Sequence, residues 1–286
     1  MIDVTQNFAT LQTSTISAGR VFEMMDRDDY EPRQAGSLKE IERGDIRFDH
    51  VSFSYDGKRD VLKDISFEVK NGQTIAFVGH TGSGKSSIIN LFMRFYEFDR
   101  GQILIDGQDI KDYSQEALRR SIGLVLQEPF LYHGTIASNI RMYHDELTDQ
   151  EIRQAAAFVD VADFIESLPG GYDHPVTERG STLSTGQRQL LAFARTIAAQ
   201  PKLLILDEAT ANIDQETEEM IQNSLKKMRQ GRTTIAIAHR LSTIQDADCI
   251  YVLDKGKIIE SGNHDQLIAL GGTYKKMYDL QAGMMK

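Results

Sequence analysis

The chain has 286 residues, 41% hydrophobic residues, one cysteine and a formal net charge of -10, with a pI near 5.2. That length suits one or two domains with a sizeable core, and the acidic balance argues against a molecule-wide nucleic-acid surface. One cysteine excludes an internal disulfide framework and points to reducing cytosol, while no signal peptide or apolar run of about 20 residues is expected to cross a membrane.

Along residues 5–29, Phe8, Leu11, Thr15, Ala18, Phe22 and Met25 recur at spacings of three and four, which predicts a helical stripe. The stretch Asp26–Gly36 mixes charges, Pro32 and Gly36 without apolar period and reads as a linker. From Gly44 onward strands dominate. Ile46-Arg47-Phe48 and Val51-Ser52-Phe53-Ser54-Tyr55 alternate, as half-buried antiparallel strands do, and strands at 65–69 and 103–105 extend that sheet. The runs 74–78, 122–126, 203–206 and 234–238 are almost wholly apolar, the pattern of parallel strands buried on both faces. Helical stretches are expected at 85–95, 114–120, 150–167, 187–199 and 215–229. Between Gln127 and Pro201 no buried strand is evident. The order implies a doubly wound α/β core with a small antiparallel β subdomain before it and a helical subdomain inserted at about 128–200. Cys249, inside the run Cys249–Leu253, is expected to be a buried small hydrophobe. The seven histidines lack ligand spacing, so no zinc site is expected.

Three segments carry chemistry. Gly79-His80-Thr81-Gly82-Ser83-Gly84-Lys85-Ser86 follows the apolar run 74–78 directly. Glycines allow backbone amides to turn inward, the following helix presents its positive end, and a lysine and a hydroxyl supply a cation and a Mg2+ ligand. This pattern implies binding of a nucleoside triphosphate. Leu203-Leu204-Ile205-Leu206 ends in Asp207 and Glu208. Carboxylates at a buried strand end are costly unless compensated; Asp207 suits Mg2+ support and Glu208 suits a general base for an attacking water. Leu183-Ser184-Thr185-Gly186-Gln187 precedes a helix and offers Ser184 and the amides near Gly186 as a second phosphate cradle.

With those motifs in that order, followed by Ala238-His239-Arg240, residues 44–286 resemble the nucleotide-binding domain of an ATP-binding cassette (ABC) transporter. Tyr132–Ile140 and Thr177-Glu178-Arg179-Gly180 are similar to ABC exporters in particular, and residues 1–43 resemble the tail of an exporter's last transmembrane helix plus its linker. The resemblance implies a RecA-like P-loop NTPase core and a Mg-dependent ATPase that powers export. ATP and Mg2+ would lie between one cassette's Walker motifs and the signature of a second cassette. Residues Tyr55, Gly79, His80, Thr81, Gly82, Ser83, Gly84, Lys85, Ser86 and Ser87 would hold the nucleotide, with Tyr55 stacked on adenine. Ser184, Gly186, Gln187 and Asp214 complete the facing site. Ser86, Gln127 and Asp207 would serve the metal, and Glu208, His239 and Gln127 the reaction, His239 meeting the γ-phosphate. Glu178 would meet transmembrane domains. The implied setting is the cytoplasmic face of a membrane, with no nucleic-acid partner. Thr185, where the family commonly has Gly, and Ala211-Asn212-Ile213-Asp214 depart from the family pattern, so the second cassette is expected to be a copy of this chain or a non-identical partner. The rival expectation is a stand-alone ABC ATPase acting as a clamp on nucleic acid or ribosomes. A GTPase is disfavoured because no Asn-Lys-X-Asp motif occurs.

Overall fold

The computed structural model describes residues 2–27, 36–38, 40–98, 100–207, 215–238 and 240–283, with the side chains at 2–5, 178, 215 and 216 left aside. The chain divides into two units, residues 1–34 and 35–286. The first contains one helix, α1 (Ile2–Met25), in which the Thr10, Thr13 and Thr15 hydroxyls donate to carbonyls four residues back. A single helix has no partner inside its own unit, so its Phe8, Leu11 and Phe22 are exposed. Of the expected linker at 26–36, residues 28–35 lie outside the described residues.

The second unit opens with β1 (Ile46–Phe53) and β2 (Leu62–Val69), followed by β3 (Thr74–Val78), α2 (Lys85–Phe92), β4 (Arg100–Ile105) and β5 (Gln108–Asp109). Next come α3 (Gln115–Ser121), β6 (Ile122–Val125), β7 (Gly134–Thr135), α4 (Ile136–Arg141), α5 (Asp149–Phe158), α6 (Ala162–Ser167), β8 (Pro175–Val176) and α7 (Thr185–Ala198). The chain continues through β9 (Leu203–Asp207), α8 (Gln215–Arg229), β10 (Thr233–Ile237), β11 (Cys249–Asp254), β12 (Lys257–Gly262), α9 (His264–Leu270) and α10 (Thr273–Gln281). One sheet has the order β2-β1-β4-β5 with antiparallel pairing. The other is six-stranded in the order β12-β11-β3-β10-β9-β6, parallel except at the β12 edge.

The parallel strands are mostly apolar because each serves two cores. Ile75, Phe77, Leu203, Ile205, Ile235 and Ile237 join the antiparallel sheet and α2 in one cluster. Their neighbours Ala76, Val78, Leu204, Leu206 and Ala236 face the helices α4–α8 in the other, since successive strand side chains alternate between faces. Close helix approach on that second side is also built in. A Cβ on Gly123 would lie 2.6 Å from Thr196 Cγ2 of α7.

Several boundaries differ from expectation for local reasons. The two alternating segments at 46–55 are one strand. Its apolar phase passes from Ile46 and Phe48 to Val51 and Phe53 because the register shifts between Phe48 and Val51, where His50 has φ 51°. The helix expected to run to 95 ends at Phe92: Arg94 takes φ 50° and buries its guanidinium, which donates to the Ile110 and Tyr113 carbonyls at 3.3 and 3.1 Å. The single helix expected over 150–167 is two. Val159 and Val161 are both fully buried in one core, yet side chains two apart cannot share a helix face, and Asp160 turns the chain between them with φ 59°. Cys249 is half-buried rather than buried. The β11–β12 hairpin, turned by Lys255 and Gly256 at φ 48° and 82°, and the two last helices had no counterpart in the sequence reading.

Candidate nucleotide-binding site

Strand register brings the separated motifs to one edge. Val125 pairs beside Leu206, Asp207 beside Ile237, and Ile237 beside Phe77. The residues that follow Val78, Val125 and Ile237, together with Asp207 itself, therefore emerge side by side at the carboxyl ends of the parallel strands, where open α/β sheets bind ligands.

The loop Gly79–Gly84 joins β3 to α2. Gly79 has φ 151°, and a Cβ there would sit 2.2 Å from the Leu253 carbonyl. Gly84 caps α2 with φ 109°, and its Cβ would meet Leu62 Cδ2 at 2.8 Å. Both positions thus need glycine for conformation and for space. Lys85, 6% exposed, folds its ammonium back into the loop, where it donates to the Gly79 and His80 carbonyls at 2.7 and 3.1 Å. Burial pulls its pKa down, and the Asp207 carboxylate opposes that shift. A desolvated cation whose described hydrogen bonds go to two carbonyls is suited to an incoming polyanion. Within the loop the buried Ser83 hydroxyl has no hydrogen-bond partner among the described residues. His80, Thr81, Gly82 and Ser86 are exposed.

Tyr55 lies just beyond β1, 47% exposed. Its hydroxyl pairs with Ser87 Oγ at 3.0 Å and accepts from Asn90 Nδ2 at 3.1 Å, both on α2. Phe53 and Tyr96 meet the ring edge-on at 4.7 and 4.8 Å. The first turns of α2 therefore hold both the loop lysine and the exposed ring. Sequence reading placed Ser87 among the ligands of the nucleotide but missed that it holds Tyr55; the spacing of two polar residues on one face of α2, at 87 and 90, is the only signal of it.

Gln127 is exposed just past β6, and Asp207 is half-buried at the end of β9. An exposed hydroxyl (Ser86), one carboxylate and one amide are the oxygen donors that Mg2+ takes from protein when phosphates supply the rest. No cluster of three acidic, His or Cys ligands occurs among the described residues. Glu208, Asp214 and His239 lie outside the described residues.

The signature segment starts α7. Ser184 Oγ accepts from the Gln187 amide at 3.1 Å, and Gln187 Oε1 accepts from the Ser184 amide at 2.9 Å, a reciprocal capping box. Gly186 is buried, whereas Ser184 and Thr185 are exposed. The Thr185 hydroxyl accepts from Arg188 Nη2 at 3.1 Å, and Arg188 Nη1 also donates to the Leu183 carbonyl at 2.7 Å. Among the described residues no hydrogen bond or ion pair links Ser184–Gln187 to Gly79–Ser87. The two predicted phosphate cradles are not joined within one chain.

A second feature was not anticipated. Arg195 of α7 donates to the Asn139 carbonyl at 2.7 Å, to Asn139 Oδ1 at 3.1 Å and to the Phe130 carbonyl at 3.0 Å. Burial pulls its pKa down. Asn139, itself buried, donates to the Tyr132 and Thr135 carbonyls at 2.9 and 3.0 Å. The segment that follows Gln127 is thereby fixed to the helix that carries the signature. At Glu178 the backbone begins a tight turn in which Arg179 has φ 62°.

A family model described as ABC transporter matches residues 62–211. A Streptococcus pneumoniae protein assigned by name to the ABC transporter ATP-binding proteins is 70% identical over 285 residues, covering 100% of this chain and 49% of that protein. A Bacillus subtilis protein named as an ABC transporter ATP-binding/permease protein of the multidrug-resistance kind is 50% identical, covering 98% of this chain and 42% of its own length. A fatty acid ABC transporter ATP-binding/permease protein of Mycobacterium tuberculosis is 45% identical over 94% of this chain and 43% of that protein. The chain thus spans about half the length of the curated relatives it matches. Among solved structures, a bacterial Atm1-family ABC exporter with ATP bound superposes with a TM-score of 0.83 at 41% identity, covering 96% of this chain and 48% of that one. The reading as a nucleic-acid or ribosome clamp has no support in these matches.

Proposed function

Because the chain belongs to the ABC transporter family, whose ATP-binding domains are ATPases, we propose that it is the cassette that drives export by a larger membrane protein. The observation that carries the reading is the buried Lys85 ammonium, held at 2.7 and 3.1 Å by carbonyls of the loop it would cradle phosphates with. Its natural ligand is a β- or γ-phosphate oxygen.

In this reading the loop amides from Gly79 to Ser87 and the amino end of α2 bind the phosphates, and the exposed face of Tyr55 stacks on adenine. Ser86, Asp207 and Gln127 would hold Mg2+, which would neutralise charge developing on the phosphates in the reaction. Glu208 takes the proton of the attacking water, and His239 donates to the γ-phosphate. Ser184, Gly186 and Gln187, at the start of α7 and with no described hydrogen bond to the chain's own loop, serve the facing site of a second cassette, together with Asp214. Closure of that sandwich excludes water and completes two sites. The partner is a second copy or a non-identical cassette. Thr185, whose hydroxyl Arg188 already holds, is compatible with either.

Residues 1–43 are the junction to transmembrane domains, which the Glu178 turn also contacts, and the cassette works on the cytoplasmic face. No helix of the described residues is long and apolar enough to cross a membrane. The direct test is ATP binding by Lys85→Ala, followed by equilibrium titration of a fluorescent ATP analogue. Binding should fall at least about tenfold, since a charge-assisted hydrogen bond contributes roughly 1.5–3 kcal/mol. Unchanged affinity would remove the basis of the proposal.

A further inference from the structure

The segment after β10 is a short helical turn, Leu241–Ile244, that begins two residues beyond His239. A helical turn needs its first amides capped, yet the residue at the capping position, Arg240, supplies no side-chain acceptor to them. The acceptor comes from the far end of the unit. Gln281, the last residue of α10, accepts from the Leu241 amide through Oε1 at 2.8 Å. One turn earlier on α10, the Tyr278 hydroxyl accepts from Gln245 Nε2 at 3.3 Å. Leu241 and Ile244 are buried, and Met277 and Tyr278 pack against the same core.

The other end of α10 is fixed as firmly. The Glu260 carboxylate of β12 accepts from the Thr273 and Tyr274 amides at 2.5 and 3.0 Å. The fully buried Tyr274 pairs its hydroxyl with His264 Nδ1 at 2.8 Å. On its remaining side the turn is tied by the Thr243 hydroxyl, which donates to the Arg240 carbonyl at 2.8 Å, and by the ion pair of Arg240 with Glu218 of α8. The ties from Gln281, Tyr278, Thr243 and Glu218 all meet residues 240–245, the segment that follows His239 in sequence.

We propose that α10 is a positioning element for ATP hydrolysis, with Gln281 as the distant cap that sets the 240–244 turn, the segment next in sequence after His239. The inference rests on the reading of His239 as the γ-phosphate contact. A backbone donor at a helix start, once stripped of its acceptor, hydrates or shifts, and a small displacement of a positioned group costs turnover before it costs binding. The hydrogen bond described for Gln281 goes to Leu241, not to the loop Gly79–Ser87 or to Tyr55.

The experiment uses this 286-residue chain with Gln281→Leu, which keeps shape but loses the acceptor, Gln281→Glu, which keeps it, and Tyr278→Phe, which removes the second tie. Steady-state ATPase, ATP affinity, thermal unfolding and amide exchange over 240–245 are measured for each. Gln281→Leu should lower kcat about fivefold, equivalent to the ~1 kcal/mol of one net hydrogen bond. ATP affinity should stay within about twofold, and exchange at Leu241 should speed up. Gln281→Glu should restore kcat, and Tyr278→Phe should give a smaller loss in the same direction. Wild-type kcat in Gln281→Leu, or a loss that Gln281→Glu fails to rescue and that tracks lowered thermal stability, overturns the proposal. His239→Ala separates it from the underlying reading. If His239→Ala hydrolyses normally, the role of His239 is wrong; if that variant is inactive while Gln281→Leu is fully active, only the positioning role fails.

Discussion

Replacing Arg195 with Met tests whether the signature helix and the segment after Gln127 form one mechanical piece. The guanidinium makes three hydrogen bonds, two to Asn139 and one to the Phe130 carbonyl. A charged donor contributes about 1.5–3 kcal/mol per bond, so three amount to roughly 4–9 kcal/mol. Holding a buried cation without a carboxylate offsets several kcal/mol of that. Two carbonyls left without their donors in the variant add back a part. The net expectation is a loss of about 3 kcal/mol. For a domain of this size that lowers Tm by about 6–12 °C, read by calorimetry at fixed protein concentration without nucleotide. Arg195→Lys should recover less than half, because one ammonium cannot span the Asn139 and Phe130 carbonyls that the guanidinium fork reaches together. ATP affinity should change less than about threefold, since the phosphate loop is held by β3 and α2, not α7. A Tm within about 2 °C of wild type, or full recovery in Arg195→Lys, would refute the clamp as an energetic unit.

Glu208→Gln should retain ATP binding and lower turnover by roughly 10²–10⁴-fold, the range for loss of a general base; near-normal turnover in an ATPase assay removes the assignment. The same variant with ATP and Mg2+ should move from monomer to dimer on a sizing column while ADP leaves it monomeric, because phosphates bridge the halves; a stable dimer without nucleotide contradicts that picture. Tyr55→Ala should weaken ATP binding by about 1–3 kcal/mol, the scale of base–aromatic stacking, and Tyr55→Phe by less, since only the ties to Ser87 and Asn90 are lost; both are read by titration with a fluorescent ATP analogue. The Asp64 carboxylate, 2.6 Å from His50 Nδ1, raises the His50 pKa above its ordinary 6.5. A raised pKa stabilises the fold fully below about pH 6.5, and that contribution fades as pH rises through the folded value. In an NMR titration the His50 midpoint should fall on Asp64→Asn.

Sequence alone determined the elements whose chemistry is local. Gly79–Ser86 needs glycine where φ is positive and backbone is near, and the structure places Gly79 and Gly84 in such positions. The apolar runs 74–78, 203–206 and 234–238 became parallel strands because burial on both faces leaves no room for a regular polar alternation. The same strands end at Asp207 and before His239, so the order of motifs along the chain already implied their meeting at one sheet edge. What the tertiary structure decided depends on partners distant in the chain. The pairing of Tyr55 with Ser87 and Asn90, the hold of Arg195 on Asn139, and the acceptor that Gln281 gives to Leu241 join residues 32, 35, 56 and 40 positions apart. No periodicity records such pairs, because a side chain's hydrogen-bond partner is fixed by packing and not by spacing. The breaks at His50 and Asp160 likewise follow from which neighbours had to be buried together. Local pattern specifies which face of an element is apolar; only the assembled cores specify where the chain must turn to satisfy them.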